Sequence, residues 1–216
     1  MSIIVLDLET TGVNVFDAEI ITGFFIHADE SFNIKSTHEI KCNPLKWSDD
    51  AEKVHGITRQ EASTFKKFSD VYQGLIDWID SCQPKQMWMH CNSTMFGRLA
   101  YFDHAVLRMN MMNMGDVPYF KISNITPFST HSLCKIVQGS FNFESFRLDS
   151  ICKELGVQLN HHDAKSDAMA CLEIIKQLLP LTTCEAIKDY ERGINEESSI
   201  SNPKKSRTKR STSRFV

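Results

Sequence analysis

The stretch Ile3-Ile4-Val5-Leu6-Asp7-Leu8-Glu9 constrains this chain more than any other. The apolar run Ile3 to Leu6, with a turn marked by Gly12 shortly after, predicts a buried strand. Side chains alternate faces along a strand, so Asp7 and Glu9 point the same way. At about 3.3 Å of rise per residue, their Cα atoms stand roughly 6.6 Å apart. Two carboxylates that close repel each other unless a cation lies between them. Hard oxygen ligands favour Mg or Mn ions. The chain therefore opens with half of a divalent-metal site.

Further strands are predicted at Glu19 to His27, Ser31 to Cys42 and Gln86 to Cys91. Ser48 caps a short helix that reaches Val54 and is closed by Gly56. Thr58-Arg59-Gln60-Glu61 has capping-box spacing, and Ser69 caps a longer helix with Val71, Leu75, Ile76 and Ile79 on one face. Leu99 to Met112 reads as a helix. Between 113 and 146, Pro118, Pro127 and Gly139 break any long element and leave a short helix near 130–137. Leu148 to Leu155 forms a helix ended by Gly156. Another runs from Asp163 to Leu179 with Ala164, Ala168, Cys171, Ile175 and Leu178 as its apolar stripe, and a last one covers 184–192. Strands followed by helices predict a layered α/β domain.

A length of 216 residues suits one such domain, here 1–193. Residues 194–216 read as a disordered tail dominated by Ser, Thr, Lys and Arg. No apolar stretch reaches the roughly 20 residues needed to span a bilayer, and no signal peptide is evident, so no membrane partner is expected. Seven cysteines without a CxxC pair argue against a disulfide framework or a zinc site and fit a cytoplasmic location. Of 24 Lys and Arg residues, six lie in 204–216 with no acid among them. That leaves 18 against 27 acids, so an acidic body carries a basic tail able to attract phosphates or a protein partner.

Three more candidate ligands lie far from the first pair: Asp103 early on a helix, and His162 and Asp167 around the start of another. Asp167 belongs on the inward face beside Ala164 and Ala168, where an unpaired carboxylate is costly unless it binds a metal. The ordered set Asp7-x-Glu9-Thr10-Thr11-Gly12, Phe102-Asp103-x-x-x-Leu107 and His162-x-x-x-x-Asp167 resembles the three motifs of the DEDDh (DnaQ-like) 3′–5′ exonucleases. Val54-His55-Gly56-Ile57-Thr58 and the segment Leu148 to Gly156 resemble two further stretches of that family, and the likeness covers residue 3 to about 180. The spacing to Asp167 selects His162 over its neighbour His161. Two departures stand out. His90-Cys91-Asn92-Ser93-Thr94 is separated from Phe102-Asp103 by an extra Met95 to Tyr101, and His131-Ser132-Leu133 replaces an acid-led start.

The resemblance implies a ribonuclease H-like fold, a mixed five-stranded sheet with helices on both faces. It implies that Asp7, Glu9, Asp103 and Asp167 hold two divalent ions, Mg or Mn. His162 then acts as general base toward an attacking water, releasing nucleoside 5′-monophosphates from a 3′ end. Thr10, Thr11 and Gly12 would touch the terminal nucleotide through their backbone, and His55 its base or sugar. The expected substrate is single-stranded DNA or a frayed 3′ end, with a polymerase or another replication or repair protein as possible partner. An exoribonuclease or oligoribonuclease needs the same metal chemistry and differs in contacts to the 2′-hydroxyl. An inactive nucleic-acid-binding or polymerase-associated subunit on the same fold is the alternative from outside enzymes; the five filled catalytic positions argue against it.

Overall fold

The computed structural model describes residues 2–91, 94–95, 98–99, 101–114 and 122–201. The basic segment 204–216 and Pro118 lie outside the described residues. Strands β1 (Ile3–Thr10), β2 (Ile20–Ala28), β3 (Ile34–Lys41) and β4 (Gln86–Met89) are followed by a small hairpin, β5 (Thr94–Met95) and β6 (Arg98–Leu99), and by β7 (Thr126–Ser129). The main sheet runs β3-β2-β1-β4-β7. β2 pairs antiparallel with β1 and β3, whereas β4 lies parallel to β1 and β7. The expected mixed five-stranded sheet is therefore present. β7 is a strand that the sequence pattern does not reveal: it has four residues, and Pro127 cannot donate to a ladder. Its place at the sheet edge is where a proline is tolerated.

Alternation along β1 sends Ile3 and Val5 into one core and Ile4, Leu6 and Leu8 into the other. The first core is closed by α5 (Thr130–Val137), α6 (Leu148–Leu155), α7 (Ala164–Leu178) and α8 (Cys184–Ser201). The second is closed by α3 (Phe68–Cys82) and α4 (Phe102–Asn113), with Leu75, Ile76, Ile79, Val106 and Leu107 fully buried. Helices thus cover both faces. α1 (Asp49–His55) and α2 (Arg59–Ala62) follow β3 at the sheet's end.

Capping chemistry sets most helix limits. Ser48 accepts from the Ala51 N–H, Thr58 from Glu61 and Asp163 from Ser166, while Gly56 and Gly156 close α1 and α6 in the left-handed region. Three boundaries differ from expectation. α3 begins at Phe68 after Lys67, and Ser69 spends its hydroxyl on Asp70. α4 begins at Phe102, because Leu99 belongs to the β5–β6 hairpin. α8 continues to Ser201, past Ile194 where a disordered tail was expected. It is anchored near its start by Ile187 and Glu191, both buried, and a helix once nucleated extends readily.

The anchoring of α8 reaches the start of α4. Tyr101, the residue before α4, donates its hydroxyl to Glu191 Oε2 at 2.5 Å. Lys188 Nζ lies 3.0 Å from that same oxygen and 3.0 Å from the tyrosine oxygen, and it also donates to the Pro127 carbonyl of β7. Burial of Glu191 is tolerable because lysine and phenol both meet it.

All seven cysteines are free. No helix among the described residues is long and apolar enough to cross a membrane.

Gly23 on β2 lies beneath Leu8, between the two acids of β1. A Cβ there would sit 2.7 Å from Leu8 Cδ2 and 3.1 Å from Phe25 Cε2. Gly23→Ala is expected to cost about 1–3 kcal/mol through overpacking, visible as a lowered melting temperature. An unchanged melting temperature would show that Leu8 can turn aside.

Candidate active site

Three acids converge where β1 ends. One carboxylate oxygen each from Asp7, Glu9 and Asp167 lies within 4.8 Å of the others. Asp7 and Glu9 share the β1 face that carries Ile3 and Val5, and α7 packs on that face. The Asp163 cap fixes the first turn of α7, which holds Asp167 against the strand. A register shift between Glu9 and Thr10 breaks the β1–β2 ladder just beyond the acids.

Asp103 comes from the other core. It is buried in the first turn of α4 and stands outside the 4.8 Å group, but its charge reaches that group. Burial foremost, then the charges of Asp103, Asp167 and Glu9, push the Asp7 carboxyl well above its ordinary range. Burial and the charges of Glu9 and Asp167 do the same to Asp103. Glu9 is raised from 4.5 to about 8 by burial and by Asp167 and Asp163. The structure thus brings Asp7, Glu9 and Asp167 together, while Asp103, buried on α4, acts on them through its charge.

These residues fit a hard divalent cation. Their ligand atoms are all oxygens, their mutual repulsion is unrelieved by any of the recorded Lys or Arg ion pairs, and Asp167 Oδ1 is buried without a hydrogen-bond partner. Asp167 Oδ2 has two neighbours: His161 Nδ1 at 3.1 Å and the His162 backbone N–H at 3.2 Å.

The two histidines divide their roles differently from what motif spacing alone conveys. His161 is the one whose ring bonds Asp167. His162 adopts φ 68°, costly for a residue with a Cβ, and its ring stacks on His161 at 3.9 Å. His162 lines both clefts that border Glu9. Burial, then His161 and Arg147, hold its pKa below the usual histidine value, so its imidazole is neutral near pH 7.

The remaining motif residues frame the acids. Thr11 is buried, closing the loop by accepting from the Glu19 N–H at 2.9 Å, and Thr10 donates to the Gly12 carbonyl at 2.9 Å. A Cβ on Gly12 would meet nothing within 4 Å, so packing does not demand a glycine there. His55 accepts from the Ile57 N–H through Nδ1, leaves Nε2 unpartnered, and lines a cleft of about 150 Å³ with Glu9 and His162. A second cleft of about 370 Å³ opens on Asp7, Glu9 and Asp167 and is walled by His90, Arg147 and His161. Motif reading does not single out these last three as site residues. Nor does it find Asp163, read only as a helix start, whose charge acts on both Asp7 and Glu9. Its capping position was the one sequence signal available.

Fold and acid cluster together define a ribonuclease H-like domain. Among solved structures, one described as the structure of exonuclease I that suggests how processivity is achieved superposes with TM-score 0.72 at 20% identity, covering 87% of this chain and 42% of that one. E. coli exonuclease I in complex with a dT13 oligonucleotide gives 0.68 at 20% identity, covering 83% and 42%. Exonuclease I from Methylocaldum szegediense gives 0.70 at 17% identity, covering 87% and 42%. Among curated proteins, a PolC-type DNA polymerase III from Clostridium perfringens is 26% identical over 190 residues, which span 80% of this chain and 11% of the polymerase. The chain therefore spans under half of these exonuclease I chains and about a tenth of the polymerase. The exonuclease family model (RNase_T) matches residues 4–175. The chain belongs to this exonuclease family, the DEDDh or DnaQ-like group.

Proposed function

We propose that this chain is a metal-dependent 3′–5′ exonuclease that removes nucleoside 5′-monophosphates from single-stranded DNA. The carrying observation is the cluster of Asp7, Glu9 and Asp167 in an open cleft, with Asp103 adding its charge. Asp7, Glu9, Asp103 and Asp167 would hold two Mg or Mn ions. Bound there, such ions would polarise the phosphodiester and neutralise the charge that develops as it is cut. His162, neutral and at the cleft, takes the proton of the attacking water through its ring. Its backbone N–H and the ring of His161 orient Asp167.

Substrate contacts follow from the frame around the acids. Gly12 borders open space a few residues along the chain from the β1 acids, so the chain of a terminal nucleotide can approach its backbone and those of Thr10 and Thr11. His55 offers Nε2–H to a sugar or base. Beside Thr11 and Gly12 a cleft of about 790 Å³ is lined by Val13, Trp47 and Val54, and Val13 is 90% exposed. Unstacked bases suit such an apolar wall, which favours a single strand over a duplex. The structure of exonuclease I with a dT13 oligonucleotide supports DNA as the strand, and the PolC-type relative supports a polymerase as partner.

The test uses matched 5′-labelled DNA and RNA oligonucleotides with Mg, with Mn and with EDTA. Stepwise shortening from the 3′ end, faster on DNA and lost in EDTA, is expected. Faster shortening of RNA would transfer the reading to an exoribonuclease. Internal cuts, or no cuts under either metal, would overturn it.

A further inference from the structure

Arg147 occupies the wall of the 370 Å³ cleft that faces Asp7, Glu9 and Asp167. Among the described residues lining that cleft, it alone carries a fixed positive charge. Its recorded ion pair is nevertheless with Asp149, not with any of the cleft's acids. A permanent cation and a group of carboxylates thus share one cleft, which leaves room for an anion to lie between them.

The position of Arg147 is set by its backbone. Its carbonyl accepts the Ile151 N–H at 3.0 Å as the first bond of α6, and its own N–H donates to Ser145 Oγ at 3.4 Å. Ser150 Oγ, in turn, accepts from the Ser145 N–H at 3.0 Å. The side chain is 66% exposed, and its pair with Asp149 joins Nε to Oδ1 at 3.3 Å. Exposed pairs of that kind contribute little to stability, so the guanidinium can be recruited without loss of fold. Pairing through Nε leaves the two Nη groups for a fork onto an anion. A guanidinium fork matches phosphate oxygens two at a time, which an ammonium cannot do.

We propose that Arg147 is a phosphate clamp. It grips the non-bridging oxygens of the terminal nucleotide's phosphate, the group that leaves as the 5′-phosphate of the product. This assignment rests on the exonuclease reading, and it adds a residue that the motif set does not contain. His90 and His161 flank the same wall and keep it polar.

The test measures binding of thymidine 5′-monophosphate and of thymidine, with Mg, to wild type, Arg147→Lys and Arg147→Ala. The monophosphate should bind about ten-fold more weakly to Arg147→Ala, with Arg147→Lys intermediate and thymidine unaffected. The salt slope for binding a dT oligonucleotide should fall by about one in Arg147→Ala. An unchanged monophosphate affinity would overturn the clamp, as would equal losses for monophosphate and thymidine. Wild-type shortening of DNA, measured in parallel, separates the two readings. Activity with an unaffected Arg147→Ala removes the clamp alone, whereas wild type that neither cuts DNA nor binds the monophosphate removes both.

Discussion

Asp7→Asn should lower exonuclease turnover by at least about 10³-fold while making the metal-free protein more heat-stable at pH 8. Both effects share one cause. Asp7 is held on β1 among Glu9, Asp103 and Asp167, and each of those charges raises its pKa. Without cations the group repels itself, and asparagine has nearly the same shape without the charge. With cations the same charge is the ligand, and an amide oxygen is a weaker one. The gain in stability should shrink as pH falls from 8 to 5, because a carboxyl raised above its ordinary range takes up its proton earlier in that descent. The checks are a turnover assay and thermal melts of both proteins in EDTA at the two pH values. Full activity in the variant, or a lower melting temperature at pH 8, would refute this account of the cluster.

The wild-type protein in EDTA should lose stability as pH rises from about 6.5 to 8, and Mg or Mn should abolish that loss. A carboxyl whose folded pKa is raised stabilises the fold below its unfolded value and loses that contribution as pH climbs through the folded value. Glu9 spans 4.5 to about 8, and Asp7 and Asp103 are raised in the same direction. Each proton lost in this way costs about 1.4 kcal/mol per pH unit. Buried histidines act oppositely. His90 is lowered to about 3, and His104 and His131 to about 4, in each case chiefly by burial. Their contribution is present above the ordinary histidine value and is lost as pH falls below it, with or without metal. The alkaline limb therefore isolates the acids. At a metal concentration 100-fold above its dissociation constant the stabilisation is about 2.7 kcal/mol, or roughly 5–11 °C for a chain of this size. A melting curve indifferent to metal at pH 8 would mean that the cluster binds none.

Much of the central architecture was legible because its signals are local. β1 shows as an apolar run with acids two apart, and Ser48, Gly56 and Gly156 mark helix ends by caps that depend only on neighbours. β7 stayed hidden because four residues around Pro127 become a strand only when β4 lies alongside. The start of α4 shifted because a hairpin preceding it claimed Leu99. At the site, motif spacing named Asp7, Glu9, Asp103, His162 and Asp167. It could not convey that His161 takes the bond to Asp167, that His162 is held at positive φ, or that Arg147 faces the acids. The first two lie within a few residues of Asp167 but depend on how the loop before α7 settles against the acids, and the third joins segments far apart in sequence, so spacing alone encodes none of them.

The hydroxyl of Tyr101 and the carboxylate of Glu191 meet across ninety residues of chain. Residues 4–175 define the recognisable family segment, yet the second-motif acid is braced by a helix that begins after it ends. The evolutionary module and the cooperative folding unit therefore have different borders. Anyone excising, fusing or transplanting this nuclease-family domain should cut beyond α8, because a break at residue 175 would strand Tyr101 without its partner and loosen the α4 turn that carries Asp103.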